Sequence, residues 1–86
     1  MKIFARPVKM IAVFDETGAP TPLRFMIEED GVWQVVKVDQ VISTESVRPA
    51  GMDALVFRCQ SEIREALKQY EIIYRIKPHQ WELYKI

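Results

Sequence analysis

The chain has 86 residues, 49% of them apolar and 28% charged, and its 12 basic side chains are balanced by 12 acidic ones. That length supports one hydrophobic core, hence a single domain over residues 1–86, and the mix of apolar and charged residues is that of a folded rather than a disordered chain. A net charge of zero removes any bulk electrostatic reason for tight binding to nucleic acid or to an anionic membrane.

Cys59 is the sole cysteine, so a disulfide-stapled secreted scaffold is excluded. The longest apolar run near the start is Met10 to Phe14, too short for the apolar region of an export signal. No segment approaches the ~20 apolar residues of a membrane-spanning helix. Asparagine is absent, so no N-glycosylation site exists. These features predict a cytoplasmic protein with no membrane association.

The periodicity along the chain is mostly two, the signature of strands. Val8 to Phe14 is a continuous apolar run, expected as a strand buried on much of both faces. Gly18, Pro20 and Pro22 then break regular structure. Leu23 to Glu29 alternates, placing Leu23, Phe25 and Ile27 on one face and Arg24, Met26 and Glu28 on the other. Asp30-Gly31 suits a type I′ hairpin turn, because both central positions need a positive φ. Such a turn sets Glu28 opposite Trp33, Met26 opposite Val35 and Arg24 opposite Lys37, with Phe25–Val36 and Leu23–Val38 on the core face.

The third strand continues through Val41-Ile42, with a bend expected at Asp39-Gln40 where the alternation fails. Ser43 to Asp53 reads as the longest polar connection, broken by Pro49 and Gly51. Ala54 to Gln60 is a strand with Leu55, Phe57 and Cys59 on one side. Residues 61–69 combine helix-favouring Glu, Ala, Leu, Lys and Gln with a strict alternation that follows, Tyr70, Ile72, Tyr74 and Ile76. A hairpin connected around Arg64 to Ala66 is favoured over a short helix. Lys77-Pro78-His79 forms the last turn, and Trp81 to Lys85 the last strand. Five to six short antiparallel strands hide their edges and bury a core by closing, which predicts an all-β, SH3-like barrel.

The succession RPVKMIAVFDETGAPTPLRFMIEEDGVWQVVKV, then ALVFRCQ, then QYEIIYRIKPHQWELYKI resembles a group of small uncharacterised bacterial β domains. The resemblance rests on Gly18 with Pro20, Phe25, Gly31 with Trp33 and Val35, Tyr70-Glu71 with Tyr74, and Trp81 with Leu83. Some members of that group are encoded beside Y-family DNA polymerases of the damage response, which implies a DNA-repair-related accessory role. The relatives are rich in arginine, whereas this chain is neutral.

No catalytic, cofactor-binding or metal-binding motif accompanies these elements. One histidine and one cysteine make a zinc site only with carboxylates, and no ligand-spaced cluster exists. Cys59 alternates with apolar residues as a buried thiol would; a nucleophile there would need His79, the one imidazole, as its base. Glu28-Glu29-Asp30 reads as charge flanking a turn, not as an acid–base pair or a cation site. The isolated glycines form no phosphate loop. The expectation is a non-enzyme without cofactor or small-molecule substrate.

Surfaces remain. Tyr70, Tyr74 and Trp81 form either a core cluster or an aromatic groove. Arg24, Trp33 and Lys37 share the outer face of the hairpin, where the indole packs on Met26 and Val35, or lies under the 43–53 connection, or stands exposed as a platform for a base or a proline-rich segment. The leading expectation is an interaction module that binds a protein partner or itself. The alternative is a nucleic-acid-associated accessory domain, and a small enzyme using Cys59 or carboxylates comes last.

Overall fold

The alternating runs become eight strands: β1 (Ile3–Pro7), β2 (Lys9–Phe14), β3 (Pro20–Glu29), β4 (Val32–Lys37), β5 (Gln40–Val47), β6 (Ala54–Ile63), β7 (Ala66–Arg75) and β8 (Gln80–Lys85), with one 3-10 turn at Pro49–Gly51. The computed structural model describes all 86 residues, Met1–Ile86. The fold is all-β, as its periodicity predicts. The strands form two antiparallel sheets, ordered β1-β8-β7-β6-β5 and β2-β3-β4. The expected SH3-like barrel of five to six strands is corrected: the eight strands do not close, because no ladder joins the three-stranded sheet to the five-stranded one. No helix is long and apolar enough to cross a membrane.

The hairpin across Asp30-Gly31 has the register its sequence dictates: Glu28 faces Trp33, Met26 faces Val35, Phe25 faces Val36 and Arg24 faces Lys37. Asp30 and Gly31 both take positive φ, 51° and 77°, as a type I′ turn requires. The second hairpin turns at Arg64-Glu65, again with positive φ at both residues. Residues 61–69 are therefore strand and turn, not helix. Ser61 pairs with Lys68 and Ile63 with Ala66, so ladder pairing with β7 overrides the local helix preference.

Four further expectations are corrected. Ser43 to Val47 is not loop but the continuation of β5, paired with β6 from Ser43–Arg58 to Val47–Ala54. Its polar composition suits an edge strand with solvent beside it. Pro20 and Pro22 lie inside β3, buried and paired with Phe14 and Ala12. They are tolerated because β4 reaches only to Arg24, so this part of β3 has a neighbour on one side alone. Leu23 is the extra residue of a bulge, where the register steps from Ile11–Arg24 to Ala12–Pro22. Pro22 and Phe25 point inward and both Leu23 and Arg24 turn outward, leaving Leu23 exposed. Finally, β2 is not buried on both faces. Met10 packs on the core, while Ile11 and Val13 are open to solvent.

Two corners carry the chain between sheets. At the first, between β1 and β2, the Val8 N–H donates to the Trp81 carbonyl. The second is Val38-Asp39, where alternation fails in the sequence: β4 ends at Lys37 and β5 begins in the other sheet. A buried hydroxyl holds this corner. The Ser61 Oγ lies 2.6 Å from the Lys37 carbonyl oxygen, 2.5 Å from the Tyr70 hydroxyl and 3.3 Å from the Asp39 nitrogen. A carbonyl only accepts, so Ser61 donates to Lys37 and accepts from Tyr70 and from the Asp39 N–H. The knot is fully satisfied. Asp39 closes it by accepting from the Glu62 N–H at 2.9 Å.

The core lies between the sheets. Phe25, Ile27 and Val36 descend from the three-stranded sheet onto Phe57, Cys59, Tyr70, Ile72, Tyr74 and Leu83. Phe25 meets Tyr70 edge-on at 5.7 Å, a favoured aromatic geometry. Trp81 tilts against Tyr74 at 4.5 Å and Phe57 at 5.8 Å. Tyr70 and Tyr74 are buried and Trp81 half-buried, so the three belong to the core rather than to an open groove.

Candidate interaction surface

A three-stranded sheet with one face on the core leaves its other face uncovered, and this one is unusually apolar. β2 contributes Lys9, Ile11 and Val13; β3 contributes Glu28, Met26, Arg24, the bulged Leu23 and Thr21; β4 contributes Trp33, Val35 and Lys37. Ile11, Val13, Leu23, Trp33 and Val35 are each between 41% and 59% exposed. Together they present about 500 Å² of accessible surface, as much as the largest apolar patch on an ordinary monomer.

The side chains are ordered in rows across the strands. Glu28 and Trp33 form one row beside the hairpin tip, then Lys9, Met26 and Val35, then Ile11, Arg24 and Lys37. Arg24, Trp33 and Lys37 therefore share one face, and the structure leaves the indole exposed. The 43–53 segment lies elsewhere, in the other sheet and the 3-10 turn, and does not cover it. Arg24 and Lys37 are direct neighbours, but four residues of strand, about 13 Å, separate them from Trp33. They do not clamp the indole. The cation that does is Lys9, whose Nζ stands 4.5 Å from the ring centroid.

Lys9, Ile11 and Val13 are the residues that sequence reasoning missed. The signal was present in the alternation of Lys9, Ile11 and Val13 with Met10 and Ala12, masked because all but Lys9 are apolar.

Charge is distributed lengthwise. Glu28, Glu29 and Asp30 lie at or beside the hairpin tip, and Arg24 and Lys37 at the other end. None of these residues, nor Lys9, forms an ion pair: the chain's salt bridges are Arg48–Asp53, Arg58–Glu71 and Arg75–Glu82. The face is thus an apolar strip with an acidic end and a basic end. Arg6 anchors the acidic end to the five-stranded sheet, its guanidinium donating to the Glu28 carbonyl at 2.8 Å.

Cys59 is fully buried, its thiol 3.7 Å from the Phe57 carbonyl, and burial pushes its pKa up to about 12, far from a nucleophilic thiolate at neutral pH. His79 pairs through Nδ1 with the Tyr74 hydroxyl at 3.3 Å, so the two residues a thiol site would need are engaged apart. Asp15 is held below the usual carboxylate range by the Thr17 hydroxyl and by the Ala19 and Thr17 amides, which makes it the organiser of its own turn. No group of three or more His, Cys, Asp or Glu side chains is placed to hold a metal ion.

The back of the five-stranded sheet carries an apolar depression of about 240 Å³ lined by Val47, Pro49, Val56, Ile73, Arg75 and Tyr84. Arg75 at its rim is already neutralised by Glu82 at 2.7 Å. A scan of protein-family models and searches of curated proteins and of solved structures find no match to this chain.

Proposed function

We propose that this domain is a non-catalytic interaction module that docks a protein through the outer face of its three-stranded sheet. The observation that carries the reading is the uncovered strip of Ile11, Leu23, Trp33 and Val35 on a small domain that buries only 14 of its 86 residues. Aliphatic and β-branched side chains on a flat sheet are the surface that another sheet or an amphipathic helix packs against. Water contact with so much apolar area is costly, and a partner relieves it.

The test is a photo-cross-linking residue at position 35, expressed in the native host, with a second placed at position 45 on β5 as a control. Adducts with a protein from position 35, absent from position 45 and lost on Trp33→Ala, support the reading. Equal labelling from both positions, or none from position 35, refutes it.

A second reading, a nucleic-acid-associated accessory domain, is supported by Lys9 over the Trp33 ring and by the cations Arg24 and Lys37 on the same face. Indole stacking on a base with cations along the backbone is a recurring way to hold single strands. It predicts oligothymidylate binding at low salt that weakens steeply as salt rises and is lost in Trp33→Ala. No retention at low salt would refute it.

A further inference from the structure

We infer that the free edge of β4 receives an extended segment of another protein, acidic beside Lys37 and aliphatic toward the core, as a fourth strand of the small sheet. The inference rests on the reading of that sheet as a docking surface and adds the form and chemistry of what docks.

Each sheet ends in two edge strands, β1 and β5 in the larger and β2 and β4 in the smaller. Register shifts interrupt the ladders at three of these edges, between Ile3 and Arg6, between Ile11 and Ala12, and between Val41 and Ser43. Irregularities of that kind keep foreign strands away. Of the ladders at these edges only β3–β4 runs unbroken, from Arg24–Lys37 to Glu29–Val32, and β4 holds no proline. Its edge is open to pairing.

The two-residue turn fixes which backbone groups face that edge. It makes Glu29–Val32 a hydrogen-bonded pair, so Ile27–Gln34 and Phe25–Val36 bond as well. The N–H and C=O groups of Trp33, Val35 and Lys37 therefore point away from β3. The Lys37 carbonyl accepts from the Ser61 hydroxyl. β4 has no second ladder, and no turn or corner hydrogen bond reaches the backbone of Trp33 or Val35. Two donors and two acceptors stand in register for one antiparallel strand.

A groove of about 360 Å³ runs along this edge, between β4 and the end of β6. Gln34 and Val36 line it from β4 and Ile63 from β6, where Ile63 also packs against the core. The groove closes at the corner where Ser61 meets Lys37. Side chains of an added strand alternate. The one opposite Gln34 turns inward onto Ile63 and Val36, and those opposite Trp33 and Val35 stay on the outer face.

Charge selects the rest. Arg24 and Lys37 oppose each other at a non-hydrogen-bonded pair, where side chains lie closest and like charges destabilise. Arg64 also flanks the groove, and none of these three cations has an ion-pair partner. Glu62 is the single acid in the lining. A glutamate opposite Val35 sits diagonally beside Lys37, within reach of a long side chain. A second copy of β4, VWQVVK, would bring another lysine and no carboxylate. Another protein is the better occupant.

The experiment follows the backbone amides of the isotope-labelled full chain by NMR during titration with the acetylated peptide AEITVTS. In the expected register its glutamate faces Val35 and its isoleucine faces Gln34. The Trp33 and Val35 amides are expected to shift and to exchange more slowly with solvent, while Gln34 and Val36, already bonded to β3, change little. N-methylation of the peptide's glutamate removes the donor to Val35 and weakens binding by about tenfold or more. N-methylation of its isoleucine, whose N–H points away from β4, leaves affinity within about threefold. Lys37→Glu, at an exposed site, weakens AEITVTS by about fivefold and reverses the preference toward AKITVTS.

Trp33 and Val35 amides that do not move at millimolar peptide overturn the inference. So do two N-methylated peptides that bind alike, or a charge preference that Lys37→Glu leaves unchanged. Protection of the same two amides on raising the protein concentration alone makes a second copy the occupant and also overturns it. The docking reading is judged separately: position-35 adducts with another protein, from a chain whose β4 edge ignores the peptide, sustain packing on the face while removing the added strand.

Discussion

Replacing Ser61 by alanine deletes one oxygen and unmakes three hydrogen bonds at the corner between the sheets. Ser61 has no solvent exposure, and its Oγ serves the Lys37 carbonyl, the Tyr70 hydroxyl and the Asp39 N–H. Alanine offers none of these a partner, and Tyr70 is itself wholly buried. An orphaned buried polar group costs about 1–3 kcal/mol. The Asp39 bond is long at 3.3 Å, so the carbonyl and the phenol dominate the loss. The expected destabilisation is about 2–4 kcal/mol, a drop of roughly 10–25 °C in Tm for a domain of this size.

Tyr70→Phe alone removes one donor from a hydroxyl that keeps its other two partners, and costs about 1 kcal/mol. The double variant should then cost about 1 kcal/mol less than the sum of the singles, because phenylalanine leaves no phenol to orphan. Urea unfolding followed by tryptophan fluorescence measures all four states of the cycle. A Ser61→Ala change within 0.5 kcal/mol of wild type, or strict additivity, would show that the knot does not hold the corner. The corner matters beyond stability, because it sets how the three-stranded sheet and its exposed face are carried on the rest of the fold.

Alkali should unfold the protein through two buried acids. Burial raises Cys59 from 9.0 to about 12 and, against the lowering effect of its bond to Ser61, raises Tyr70 from 10.0 to about 12. Between these values the unfolded chain has lost protons that the folded chain keeps, so stability is whole below pH 9 and falls from there to pH 12, by about 1.4 kcal/mol per pH unit for each group. Urea midpoints between pH 7 and 11 test this, and Cys59→Ala should delay the onset by about one pH unit. The Arg64-Glu65 turn holds two ordinary residues in the left-handed region, at φ 52° and 64°. Replacing the pair by Asn-Gly should stabilise the domain by about 1 kcal/mol, read as a rise in Tm. The two tryptophans should separate cleanly in the same melts. Trp33→Ala, at an exposed site, changes stability by less than about 1 kcal/mol, whereas Trp81→Ala, stacked on Tyr74 and Phe57, costs about 3 kcal/mol.

The chain's local patterns and its tertiary outcome part at identifiable residues. Alternation and the Asp30-Gly31 pair determine the all-β class, the first hairpin and its cross-strand pairs from Glu28–Trp33 to Arg24–Lys37, though not the expected Leu23–Val38 pair, because side-chain period and turn chemistry are properties of a few neighbouring residues. The burial of Phe57, Cys59, Tyr70 and Tyr74 follows from the same period. Local pattern could also place Arg24, Trp33 and Lys37 on one face.

It could not decide what covered that face, since exposure depends on where distant segments run. Ser43 to Val47 carries a loop-like composition and is nevertheless an edge strand, because edge strands need only one paired side. Ile3 to Pro7 has no alternation to announce it and becomes a strand only through pairing with β8. The bulge that turns Leu23 outward and the corner that sends β5 into the other sheet arise from fitting two twisted sheets around one core. Only that assembly brings Lys9 onto Trp33 and leaves Ile11, Val13 and Val35 in water. The surface that matters most is thus the sum of three strands' outward residues, a quantity no single strand's sequence contains.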